Sequence, residues 1–129
     1  MDCLFCKIID GVIPSKTIYE DEIVKVFLDI NPNTNGHCLI IPKKHIVTVN
    51  ELDNNLINHI LEVEKKMYKL LKEKLNIDGL TIVQNNEYGQ EVKHYHVHLI
   101  PRYKNDGWSL INCQENLKSL DEIYNIIMN

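Results

Sequence analysis

Residues 15–30 read SKTIYEDEIVKVFLDI, with β-branched and aromatic positions on either side of a polar break from Glu20 to Glu22, which predicts two short strands joined by a tight turn. NPNTNG interrupts the pattern, and HCLIIP after it reads as a third antiparallel strand closed by Pro42, which has no N–H for a sheet ladder. With Asn50 or Asp53 as its cap, LINHILEVEKKMYKLLKEKLN places Ile57, Ile60, Leu61, Met67, Leu70, Leu71 and Leu75 at helical spacing, and Gly79 marks the exit. GLTIVQ reads as a fourth strand, NNEYGQ as a polar loop and HYHVHLI as a fifth strand ended by Pro101. Ser119 and Glu122 have capping-box spacing ahead of Ile123, Ile126 and Ile127, which predicts a short closing helix. The intervening KNDGWSLINCQEN has no readable period. These elements make an α+β fold, a five-stranded, mostly antiparallel sheet with one long helix packed on it.

The fifth strand carries the most chemistry. His94, His96 and His98 alternate with Tyr95, Val97 and Leu99, so a strand would set the imidazoles on one face and the apolar side chains on the other. Three uncharged imidazoles suit metal ligation, phosphate chemistry or a polar sheet face. Cys3 and Cys6 form a Cys-x-x-Cys pair, which reads as half of a tetrahedral zinc site, a redox pair or two packed thiols. Cys38 lies in an apolar run and reads as a core thiol, Cys113 sits in a polar tail, and His59 reads as a boundary residue of the long helix.

A chain of 129 residues with 44% hydrophobic and 25% charged residues supports one core. The net charge of −4 argues against binding a nucleic-acid backbone, which needs a basic surface, but leaves room for a small anion in a local site. MDCLFCKIID shows no basic stretch before a long apolar run, and no segment is apolar for the length of a bilayer. The expectation is a cytoplasmic protein, away from membranes, whose cysteines are thiols or metal ligands.

FLDINPNTNGHCLIIPKKH, a helix, and then QNNEYGQEVKHYHVHLIPRY resemble the histidine triad superfamily, specifically its Hint-like branch of nucleotide hydrolases and transferases, from about Cys3 to Tyr103. The resemblance implies a single domain over 1–129, with 104–129 as a C-terminal extension. It also implies a homodimer in which two sheets join into ten strands. It makes His96 the nucleophile that takes a nucleoside monophosphate unit. Attack by one ring nitrogen then requires the other to hold a proton against a backbone carbonyl of the same strand.

The same resemblance gives His98, His37, Asn85, the Gln90 side chain and the backbone amides through Glu91 and Val92 as donors to the phosphate oxygens. Asp29 would accept from the ribose hydroxyls, although alone it reads as a strand-end turn residue. Ile8, Ile18 and Phe27 would form the base pocket. Bacterial Hint-like proteins with an N-terminal Cys pair imply structural zinc held by Cys3, Cys6, His45 and His94. The implied substrate is a purine nucleoside monophosphate linked to an amine. Dinucleoside polyphosphate hydrolysis and a nucleotide-binding adaptor with little turnover are the alternatives. Two departures bear on substrate range: NNEYGQ is short for the family, and Glu91 stands where some members have a hydroxyl residue.

Overall fold

The Asp21 carboxylate makes the first turn, accepting from the amides of Ile23 and Val24 at 2.8 Å each, and so folds β1 (Thr17–Glu20) back onto β2 (Val24–Leu28). In the computed structural model, which describes residues 2–113 and 115–129, β3 (Cys38–Pro42), β4 (Gly79–Gln84) and β5 (Val97–Arg102) complete a five-stranded sheet. Its order is β1-β2-β3-β5-β4, and every neighbouring pair is antiparallel. Among the described residues three α-helices accompany it, α1 (Leu4–Ile9), α2 (Asn54–Leu75) and α3 (Leu120–Met128), with a single 3-10 turn at Val49–Glu51. Among the described residues, no helix is long and apolar enough to cross a membrane.

The sheet separates two cores. Helix α2, capped where the Asp53 carboxylate accepts from the Leu56 amide at 2.8 Å, buries Ile60, Val63, Met67 and Leu71 against one face. That face carries Val24, Val26, Cys38, Ile40, Tyr95, Val97 and Leu99. Each fully buried side chain of this size contributes about 1.5–3 kcal/mol, which holds α2 in place far more firmly than helix propensity does. The opposite face carries a smaller cluster, Cys3, Phe5, Ile8, Phe27, Leu39 and Ile41, covered by α1. Where α1 stops, a cleft begins.

Three boundaries differ from the sequence pattern. Helix α2 ends at Leu75 because Asn76 takes the left-handed conformation (φ 53°) and its N–H donates to the Lys72 carbonyl, while Gly79 opens β4. Helix α1 was not expected, since six residues are too few to show a period; it starts where the Cys6 amide donates to Cys3 Sγ at 3.3 Å. Strand β5 begins at Val97, not at His94, because Tyr95 donates to the Ile46 carbonyl in the loop beyond β3. The alternation persists regardless: Tyr95, Val97 and Leu99 face α2 and the three histidines face α1. The closing helix α3 forms as the pattern requires, capped by Ser119, and buries none of its residues.

The loop 29–37 is fastened to the end of β5, where the Thr34 hydroxyl donates to the Pro101 carbonyl at 2.6 Å and the Tyr103 hydroxyl to the Asn35 carbonyl at 2.7 Å. Gly36 closes it at φ +92°, and a Cβ there would stand 2.5 Å from Leu75 Cδ1 and 3.2 Å from Pro101 Cγ. Leu75 can swing aside; the proline ring and the backbone strain cannot be relieved that way. Gly36→Ala is expected to lower unfolding stability by about 1–3 kcal/mol, read from urea melts. An unchanged midpoint would show that this loop is not held as described.

Candidate active site and metal centre

Sheet register lays a row of side chains across the cleft floor: Phe27 on β2 pairs with Leu39 on β3, Leu39 with His98 on β5, and His98 with Val83 on β4. Directly paired positions share a face, so the row runs from an apolar end to the histidines and on to the sheet edge. The cleft holds about 600 Å³, within the usual size of a small-molecule site. Ile8, Phe27 and Leu39 line the apolar end, Asp29 and His37 one wall, Asn85, Glu91 and Val92 the other, and His96 and His98 the floor.

His96 is buried and edge-on to Phe5, with ring centroids 5.0 Å apart. Its Nδ1 lies 2.7 Å from the His94 carbonyl oxygen, which can only accept, so Nδ1 carries the proton and Nε2 keeps its lone pair. His98 packs against it, with centroids 4.9 Å apart, and its Nδ1 lies 3.0 Å from His37 Nε2. Burial lowers the pKa of His37, His96 and His98; for His98, burial and the neighbouring imidazoles of His96 and His37 bring it to about 4. The cleft therefore contains neutral imidazoles at pH 7.

Behind the triad, Cys3, Cys6, His45 and His94 bring their ligand atoms within 4.8 Å of one another. The sulfur–nitrogen distances are 3.5 Å from Cys3 to His94, 3.3 Å from Cys6 to His45 and 3.6 Å from Cys6 to His94, and the two Nδ1 atoms lie 3.1 Å apart. Bond lengths of about 2.3 Å to sulfur and 2.0–2.1 Å to nitrogen give a regular tetrahedron edges of ~3.6 Å (S–N) and ~3.4 Å (N–N). These four distances fall within about 0.3 Å of that frame. The His94 ring is also oriented for ligation: its Nε2 donates to the Pro42 carbonyl at 2.8 Å, leaving a lone pair on the Nδ1 that faces both thiols. This is a cluster that could hold a metal ion.

Of the residues the resemblance implies, Ile8, Phe27, Asp29, His37, Asn85, Glu91, Val92, His96 and His98 line one cleft, and Cys3, Cys6, His45 and His94 form one cluster. Two do not. Ile18 packs against the α2-side core because the register slips between Thr17 and Tyr19, and this bulge turns Ile18 to the same side as Tyr19. The Gln90 side chain is occupied within the loop, accepting from the Glu87 amide at 3.1 Å and donating to the Val47 carbonyl at 2.7 Å, so it anchors the loop instead of facing the cleft.

Several lining residues were missed, among them Phe5, Leu39, Val83 and Trp108. Trp108 reaches the cleft from the segment that showed no pattern. It is held by Arg102, whose guanidinium stacks 4.7 Å from the ring and pairs with Asp106 at 2.7 and 3.0 Å. Asp106-Gly107 next to a lone tryptophan was the available signal, a turn placing a large ring. His59 is the boundary residue expected of it, 2.7 Å from Asp21, and Cys38 is the expected core thiol, its pKa pushed by burial to about 12.

Fold and site together define an antiparallel-sheet protein with a histidine-floored cleft and a Cys/His cluster behind it. The sequence profile of the HIT domain matches residues 10–105, and the chain belongs to that family. It is 50% identical over 123 residues, 94% of this chain and 95% of the other, to an uncharacterized HIT-like protein of Methanocaldococcus jannaschii. It is 35% identical over 130 residues, 95% of each chain, to the adenosine 5'-monophosphoramidase of Schizosaccharomyces pombe. A zinc-bound histidine triad family protein of Mycobacterium smegmatis superposes with a TM-score of 0.80 at 35% identity, covering 89% of this chain and 85% of that one.

The buried imidazoles make stability depend on pH. His98 titrates near 6.5 when unfolded and about 4 when folded, so between those values the unfolded state binds the extra proton and acid favours unfolding. Its contribution is fully present above pH 6.5 and is lost as pH falls to about 4, with a slope of up to about 1.4 kcal/mol per pH unit. Urea unfolding from pH 7 to 4.5 should show His98→Gln losing less stability than wild type over that interval. Parallel losses would place His98 in a solvated setting that the cleft does not describe.

Proposed function

We propose that this chain is a nucleotide phosphoramidase or nucleotidyl hydrolase that acts on purine nucleoside monophosphates linked to an amine, through a covalent nucleotidyl–His96 intermediate. The observation that carries the reading is the 2.7 Å contact of His96 Nδ1 with the His94 carbonyl, which leaves Nε2 unprotonated at the cleft floor. Nε2 attacks phosphorus, the P–N bond breaks and the amine departs with a proton; water then attacks the same phosphorus and frees the imidazole and a nucleoside monophosphate. Phe27, Leu39 and Ile8 offer an apolar bed for the base, and the Asp29 carboxylate beside them an acceptor for ribose hydroxyls. Glu91 is the cleft-wall carboxyl available to exchange a proton with the departing amine. The phosphoramidase name of the fission-yeast relative supports the same chemistry.

The test is incubation with an adenosine phosphoramidate. Wild type should release amine over many turnovers and show, by intact-protein mass spectrometry under acid-free quenching, an adenylyl adduct that maps to His96. His96→Ala should bind nucleotide and show neither. Binding without turnover by wild type would point to an adaptor, and an adduct on another residue would overturn the mechanism.

The reading includes structural zinc at Cys3, Cys6, His45 and His94, supported by the fit of the four donors and by the zinc-bound relative. Bound there, the ion would tie α1 to His94 and the loop after β3. We also read the unpaired edge of β4 and the groove formed by Leu61, Tyr68, Leu80 and Ile82 as the face of a homodimer. Metal analysis of protein prepared without chelator should find one zinc per chain, absent after Cys3→Ser with Cys6→Ser. Zinc retained by that double variant would rule the cluster out. Its removal should loosen α1 before it slows the chemical step.

A further inference from the structure

We infer that the backbone amide of Asn33, acting through His37, decides which nitrogen of His98 is protonated, so that His98 offers an N–H to the phosphoryl group; His37 is thus a positioning residue. The role rests on the phosphoryl-transfer reading above, whereas the wiring follows from hydrogen bonding alone.

The Asn33 amide can only donate, and it lies 3.0 Å from His37 Nδ1, so that nitrogen must hold a lone pair. The buried His37 ring is neutral at pH 7, which leaves its proton on Nε2. That nitrogen is 3.0 Å from His98 Nδ1 and 3.6 Å from a carboxylate oxygen of Asp29. Its N–H therefore donates to His98 Nδ1 at the shorter distance, with Asp29 drawing the proton toward the same side. His98 Nδ1 accepts, and the His98 proton is left on Nε2.

His96 is wired the opposite way, its Nδ1 proton held by the His94 carbonyl and its Nε2 bare. Two imidazoles of identical composition, packed edge to face, thus present a lone pair and a donor to one cleft. The other tautomer of His98 would turn a lone pair toward the anionic phosphoryl oxygens, which repels where stabilisation is needed.

The wiring also separates the two histidine clusters. Asp29, His37 and His98 bring their ligand atoms within 4.8 Å, as the Cys/His set does. A metal ion on His37 Nε2 would displace its proton to Nδ1, head-on against the Asn33 N–H. His94 has the reverse arrangement, its proton held by a carbonyl and its lone pair toward the cluster. The first set is built to pass on a donor and the second to hold a cation.

Nitrogen-15 NMR of histidine-labelled protein reads the tautomers directly, without substrate. Wild type should show Nε2–H with bare Nδ1 for both His37 and His98, and Nδ1–H for His96. His37→Leu should shift His98 toward a mixture and lower kcat on adenosine phosphoramidate by about 10²-fold, with KM little changed, the loss typical of one transition-state donor. His37→Gln, whose amide nitrogen can take the place of Nε2, should keep the His98 tautomer and most of the rate. A His98 protonated at Nδ1 in wild type overturns the inference even if no variant folds, and so does a His98 tautomer unmoved by His37→Leu. Wild type that shows the expected tautomers but never turns over phosphoramidate upholds the wiring and sinks the functional reading alone.

Discussion

His94 is the residue on which the rest of the site depends, because it is fully buried and each of its polar atoms is held in a different direction. Its carbonyl holds the His96 proton, its Nε2 donates to the Pro42 carbonyl at the end of β3, and its Nδ1 faces Cys3, Cys6 and His45. Moving this residue would turn His96, unseat α1 and open the apolar end of the cleft together. A buried imidazole without partners would cost several kcal/mol on a cyclohexane-like scale, so the three contacts are also the condition for burying it. The Cys/His cluster and the His96 ring are thereby joined through one residue.

Burial then does chemical work. Phe5 packs edge-on against both His94 and His96, and Phe27 packs against Phe5, so the apolar cover that α1 brings reaches the His96 imidazole. Removing water favours the neutral form of each ring, which is the form a nucleophile needs. The same desolvation weakens the fold in acid. Helix α1 is short, and its Phe5 and Ile8 seal the smaller core on the cleft side of the sheet.

Much of the architecture was legible because the periods were strong: alternation from Thr17 to Leu28, the apolar stripe of α2, and the split of histidines from Tyr95, Val97 and Leu99 onto opposite faces. The residues of the cleft and of the Cys/His cluster were legible only through the family resemblance, since a histidine that alternates in a strand reads equally well as a ligand or as plain surface. What stayed hidden is set by a single backbone event or by contacts distant in sequence. A bulge at Ile18 reverses one side chain without changing composition. Gln90 is withdrawn from the cleft by the Val47 carbonyl, 43 residues away, which no local pattern records. Trp108 is placed by Arg102, from a strand whose pattern ends at Pro101.

The protonation pattern of the histidines was hidden for a deeper reason. In each case the deciding partner is a main-chain atom: the His94 carbonyl for His96, the Pro42 carbonyl for His94, and the Asn33 amide for His37. Main-chain atoms are present at nearly every position, so no residue type at 33, 42 or 94 announces what its backbone will do. Three backbone groups on three segments leave chemically identical side chains with a bare Nε2 on His96, a bare Nδ1 on His94 and a protonated Nε2 on His37. Side-chain identity provides the imidazoles; the fold, by setting which backbone atom each ring meets, decides what each imidazole is.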